Sequence, residues 1–173
     1  VTIRLDLRMV EVFKFMISAV VISFNDDAYL EACLKHLSFA SQIIVIGTLD
    51  SKVELRLKKE FDFHFVENKK DESLTLFEIA TKDCKHDWIL GIEANMLIPS
   101  DLKNKILSIV ETQEKSKIFK AKVKFEFMGK PMMFSGFRTK WTTILWPKKS
   151  GKLGTSQLTS KIITLYLDFD TFS

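Results

Sequence analysis

Ile17-Ser18-Ala19-Val20-Val21-Ile22-Ser23-Phe24 is an eight-residue run with no charged residue and no turn former, rich in β-branched side chains. A strand with one wet face alternates polar and apolar residues. A run without alternation is covered on both faces, as strands of a parallel sheet are. Parallel neighbours need a crossover of a dozen or more residues between them, usually a helix. The chain supplies one: Asn25-Asp26-Asp27 offers side-chain oxygens to the orphan N–H groups of a helix start, and Leu30, Cys33, Leu34 and Leu37 follow at helical spacing.

The same unit recurs. Ile43–Ile46 reads as a second strand, and Ser51-x-x-Glu54 as a capping box opening a helix to about Glu60. Phe61, Phe63 and Phe65 alternate with Asp62 and His64 as a third strand, and a helix is expected over 73–82. Pro99-Ser100-Asp101 then starts another helix, with Leu102, Ile106, Ile109 and Val110 on one stripe. After Lys117 the period changes to two: Phe119, Ala121, Val123, Phe125 and Phe127 alternate with Lys120, Lys122, Lys124 and Glu126. A turn at 128–131, short strands near Met132–Phe137 and Thr142–Trp146, and a last strand Ile162–Leu167 complete an α/β reading. The central sheet is expected to be mostly parallel, and the C-terminal part mixed or antiparallel.

Between those halves lies Asp87-Trp88-Ile89-Leu90-Gly91-Ile92-Glu93-Ala94-Asn95, an apolar run ending in a carboxylate and an amide. In α/β sheets ligands bind outside the carboxyl ends of the strands, so Glu93 and Asn95 are candidate oxygen ligands at a cleft. With 173 residues and 46% apolar content, one core and one domain are expected. The net charge of +4 is uneven: from Glu111 to Lys152 eleven Lys/Arg stand against three Glu. That half suits either a solvated sheet face or an anionic partner, including an anionic membrane surface. It carries no aromatic-basic signature of nucleic-acid readers, so no nucleic acid is expected.

Cys33 and Cys84 have neither metal-ligand nor disulfide-scaffold spacing, which suits a reducing cytoplasm. The longest apolar run, Phe15–Phe24, is about half of the ~20 residues a membrane-spanning helix needs, and no A-x-A-like site follows it. His36, His64 and His86 show no ligand spacing and read as structural.

The order Ile17–Asn25, Ile43–Ile46 and His86–Asn95 resembles the family 2 glycosyltransferases of GT-A fold. The closest likeness is to their lipopolysaccharide-core glucosyltransferase branch, whose Y-x-D-F-D tail is matched by Tyr166-Leu167-Asp168-Phe169-Asp170. The resemblance implies residues 1–15 as an extension and 16–173 as a single glycosyltransferase-like domain, ending earlier than the family does. It implies transfer of a hexose from a nucleoside-diphosphate sugar to a glycan or glycolipid acceptor, in the cytoplasm or at the inner membrane face. Ser23, Asn25, Asp26 and Asp50 would contact the nucleotide-sugar. Glu93 and Asn95, standing at the two Asp of the family's D-x-D, would hold a divalent cation, Mg or Mn. Arg138, Lys140 and Trp141 would contact the acceptor, and Phe137 and Trp146 are further aromatic candidates there.

Several family positions differ. Gly47 stands where the family has a nucleotide-contacting Asp, Thr75-Leu76-Phe77 replaces Q-x-N, and 140–146 contains no carboxylate for a general base. Asp26, Asp27 and Asp50 are each equally readable as helix caps. The alternative function is therefore a catalytically degenerate domain that binds a nucleotide or a partner weakly.

Overall fold

The structure is a computed structural model describing residues 16–24, 27–68, 78–79, 81–112, 118–127, 130–131, 140–150, 163–166 and 171–172. The unbroken apolar run is β1 (Ile17–Phe24), buried from Ile17 to Ser23. It lies between two parallel neighbours, β2 (Gln42–Thr48) and β4 (Trp88–Glu93), and β2 pairs in parallel with β3 (His64–Glu67). The order β3-β2-β1-β4 steps outward from β1 to one side and then returns to its other side.

The helices follow from that reversal. Right-handed crossovers put connections that move one way on one face and connections that move the other way on the opposite face. α1 (Asp27–His36) and α2 (Ser51–Leu57) send Leu30, Cys33, Leu34 and Leu57 into a core shared with Val21, Val45 and Leu90. Helical residues 78–79 and 81–83 lie on the way to β4, and Ile79 and Cys84 pack with Val20, Ile22, Ile44, Ile46 and Ile89 on the other face. α3 (Ser100–Glu111) returns to the first face through Leu102, Ile106 and Val110.

Beyond β4 the sheet turns antiparallel. β8 (Lys140–Pro147) pairs with β4, β6 (Ile118–Phe127) with β8, and β9 (Ile163–Tyr166) with β6. β5 (Met96–Leu97) pairs in parallel with β9, while β7 (Lys130–Pro131) and β10 (Thr171–Phe172) pair with β6. The protein is thus α/β, with a parallel half and an antiparallel half in one sheet.

Three local expectations are corrected. The cap of α2 is Asp50, not Ser51: Asp50 Oδ1 accepts from Lys52 N at 2.8 Å, and Glu54 turns outward to Lys58 rather than back to a cap. α2 ends at Leu57 rather than Glu60, and the turn is closed by Glu60 N and Phe61 N donating to Leu57 O. That turn occupies Phe61, so β3 begins at His64 instead of Phe61, although Phe63 is still buried. The expected strand at Met132–Phe137, the residues 73–77 and 80, and the tail 167–170 lie outside the described residues. Among the described residues no helix is long and apolar enough to cross a membrane.

Candidate functional site

The parallel half has two edges, and their polar groups are treated differently. At the amino ends Gln42 joins three segments: its Oε1 accepts from Ser18 Oγ at 2.7 Å and from Lys85 N at 2.8 Å, and its Nε2 donates to Asp83 O at 3.0 Å. Ser18 Oγ in turn accepts from His86 N at 3.2 Å. Lys148 Nζ caps Cys84 O at 2.5 Å, and Lys148 N donates to Asp87 O. A cleft of about 410 Å³ opens at this edge, walled by Leu34, Ile43, Phe61, Phe63, His64 and His86. Gln42 also lines this cleft, with its Oε1 accepting two bonds and its Nε2 donating one within the chain itself.

At the carboxyl ends the register sets Ile22 beside Glu93 and Ser23 beside Gly47, with Ala94 N donating to Ile22 O at 2.8 Å. Here partners run out. Ser23 is fully buried and Asn95 is 4% exposed, yet among the described residues Ser23 Oγ and Asn95 Oδ1 have no hydrogen-bond partner. Buried polar atoms are nearly always paired, because an unmet one costs about 1–3 kcal/mol, so such atoms point to a missing ligand or water. β8 runs antiparallel to β4, which brings its first residues to this same edge, and Thr142 Oγ1 is unpartnered there as well. A fourth such atom, Trp88 Nε1, sits at the opposite end of β4.

Gly47 explains one departure from the family pattern. Its φ is +136°, and a Cβ there would lie 2.0 Å from Ser23 O, so no side chain fits. A carboxylate at this position is excluded by backbone, and Gly47 O instead accepts from Asn68 N at 2.7 Å.

The expected site residues fall as follows. Ser23, Glu93 and Asn95 share the carboxyl edge, with Glu93 half-buried. Asp50 is exposed two residues after β2 and caps α2. Trp141 is half-buried, with Lys122 Nζ 4.9 Å above its ring. Lys140 opens β8. Asn25, Asp26 and Arg138, like Phe137, lie outside the described residues. Trp146 is corrected from acceptor candidate to core: it is 1% exposed and packs with Ile89 and Ile118. Sequence reasoning missed Thr142, whose hydroxyl gives no signal until β8 is known to run antiparallel to β4.

His36 Nδ1 donates to Ile98 O at 2.8 Å, tying α1 to the residue after β5. Both thiols are buried, and burial pushes Cys33 up to about 12 and Cys84 to about 11, which keeps them protonated and inert.

Glu93 supplies one carboxylate and Asn95 one unmet carbonyl oxygen, a donor set that suits a hard cation arriving with a diphosphate that completes its coordination. It does not suit a cage made by protein alone, since no group of three His, Cys, Asp or Glu is gathered among the described residues.

No family model matches the chain, and no curated protein matches it. Among solved structures, TarS of S. aureus is 12% identical over 76% of this chain and 28% of its own, with a TM-score of 0.51. The mannosyltransferase PcManGT from Pyrobaculum calidifontis, in complex with GDP-Man and Mn2+, is 10% identical over 60% of this chain and 34% of its own, with a TM-score of 0.50. The chain spans about a third or less of those proteins. The likeness is one of fold, a GT-A-like α/β arrangement.

Proposed function

We propose that the carboxyl edge of β1 and β4 binds a nucleoside-diphosphate sugar together with a divalent cation, and that the protein transfers the hexose to a glycan or glycolipid acceptor. The observation that carries this reading is the two buried oxygens unmet among the described residues, Ser23 Oγ and Asn95 Oδ1, at the carboxyl edge that also holds Glu93, where the strand order reverses. A crevice opens at such a reversal because the connections on either side leave toward opposite faces.

In this reading Ser23 and Asp50, together with Asn25 and Asp26, contact the nucleotide. Glu93 and Asn95 hold Mg or Mn, whose charge offsets that of the diphosphate. Ser23 and Asn95 are already desolvated, so a ligand gains their hydrogen bonds without stripping water from them. Arg138, Lys140 and Trp141 face the acceptor, and the basic half draws the protein to anionic surfaces in the cytoplasm at the inner membrane face. Likeness in fold to a mannosyltransferase that binds GDP-Man and Mn2+ supports a nucleotide-sugar ligand.

Calorimetric titration with GDP-mannose and UDP-glucose, with and without Mn2+, tests the reading. Manganese-dependent binding that is lost in Glu93→Gln is expected, and no binding at millimolar donor would sink it. Placing the family's Asp at both positions by Glu93→Asp with Asn95→Asp adds one carboxylate, which tightens Mn2+ and lowers the stability of the metal-free protein because it buries a second charge. A second reading, a weak binding module without turnover, is favoured by the steric exclusion of any side chain at position 47. Donor binding without release of nucleotide in the presence of mixed glycan acceptors would decide for it.

A further inference from the structure

β4 and β8 are paired over only part of their length. Their ladder covers only Trp88, Ile89 and Leu90 of β4, opposite Pro147, Trp146 and Leu145. β4 continues along β1 as far as Glu93, whereas β8 continues along β6 with Trp141 opposite Lys122. Glu93 and Trp141 therefore both lie beyond the end of the β4–β8 ladder, toward the carboxyl edge.

They also share a face. Ile89, two and four residues before Gly91 and Glu93, packs in the core with Trp146 and Ile118, and Trp88, Leu90 and Ile92 point the other way. On β6, Phe119 and Ala121 lie in the opposite core, which leaves Lys120 and Lys122 on the Glu93 face, paired with Thr143 and Trp141. The irregularity between Phe119 and Lys120 is taken up on β8, where the consecutive Ile144 and Leu145 both enter the opposite core.

We propose that Lys122 and Trp141 form a subsite for a sugar carrying a phosphate group. The ammonium of Lys122 is held over the indole, 4.9 Å from the ring centroid, and both side chains are half-buried. A cation fixed on an aromatic ring and partly screened from water keeps more of its field than a free surface lysine. Lys120 adds a second positive charge on the same face, and the carboxylates that alternation places on that face are Glu93 of β4 and Glu126, four residues further along β6. The part of the indole that the ammonium does not cover offers apolar surface for the C–H face of a pyranose, and the ammonium over the ring meets the phosphate. This assigns the acceptor class of the proposed transfer and so rests on the donor reading of the Glu93 edge.

The test uses one tryptophan. Trp88 and Trp146 are 2% and 1% exposed, so the indole N–H resonance of half-buried Trp141 reports the subsite. Glucose 6-phosphate is expected to shift that resonance saturably and with strong salt dependence, while glucose and inorganic phosphate each bind far more weakly. Lys122→Gln weakens glucose 6-phosphate about tenfold, the loss of one charge-assisted bond, and Lys122→Arg retains it. Equal binding of glucose, equal binding of inorganic phosphate, a shift produced by phosphatidylglycerol vesicles instead of the soluble sugar, or an unchanged Lys122→Gln would each overturn the subsite. GDP-mannose with Mn2+ is titrated into the same sample. Failure there with glucose 6-phosphate binding intact removes the donor reading alone, and the reverse result removes the subsite alone.

Discussion

The amino and carboxyl edges of one parallel sheet are built from the same strands and solve opposite problems. At the amino edge Gln42, Ser18 and the backbone of 83–86 form a closed set of hydrogen bonds that ties β1, β2 and the entry to β4 together. At the carboxyl edge Ser23 and Asn95 are buried with oxygens unmet. Polar groups kept out of water with no partner lower stability, so their presence distinguishes the carboxyl edge from the amino edge, whose polar groups bond to one another. Trp88 Nε1 is the exception at the amino end, and its ring lies 6.0 Å from that of Phe119.

Substitutions sharpen this contrast in decreasing order. Gly47→Ala is the most severe, since it combines a strained φ with a backbone collision at Ser23 O, and a loss on the order of 3 kcal/mol or more is expected in urea unfolding. A mild effect would mean that β1 and β2 separate easily at the carboxyl edge. Gln42→Leu comes next: it leaves Lys85 N and Ser18 Oγ without their acceptor, costing about 2 kcal/mol, read by the same measurement.

Ser23→Ala and Asn95→Leu should behave in the opposite sense. Removing an unmet polar atom leaves stability unchanged or raises it by up to about 1 kcal/mol, while donor and Mn2+ affinity falls. Destabilisation as large as that of Gln42→Leu would erase the distinction between the edges. The smallest effect belongs to neither edge. Hydrogen bonds from Arg56 and Lys35 hold the Glu31 carboxyl down from 4.5 to about 2. Its folded pKa is depressed, so its contribution is present above about 4.5 and disappears as pH falls through about 2. The gap in stability between wild type and Glu31→Gln should therefore be small, and should close between pH 4.5 and 2.

Much of the fold was readable in the chain. β1 was delimited from its composition alone, because an unalternating β-branched run has one stable setting. Buried Leu102, Ile106 and Val110 of α3 were given by helical spacing. Boundaries that depend on competition between neighbours were not readable: both Asp50 and Ser51 can cap, and only the geometry of the entering chain, with Asp50 at φ −65° and ψ 135°, selects the first. The alternation of Phe61, Phe63 and Phe65 was real, but the turn closing α2 consumed its beginning.

For the candidate site, the sequence determined that a buried strand runs into the oxygen-bearing side chains of Glu93 and Asn95, because this needs only local pattern to be recognised. It also determined the alternation that puts Lys120 and Lys122 on one side of β6. Tertiary structure decided which residues meet: that Gly47 must lack a side chain, that Thr142 and Trp141 arrive at the Glu93 edge, and that Trp146 is core. Those facts depend on strand order and direction, which are fixed by how separate segments cover one another's apolar faces, and no single stretch of chain contains that information.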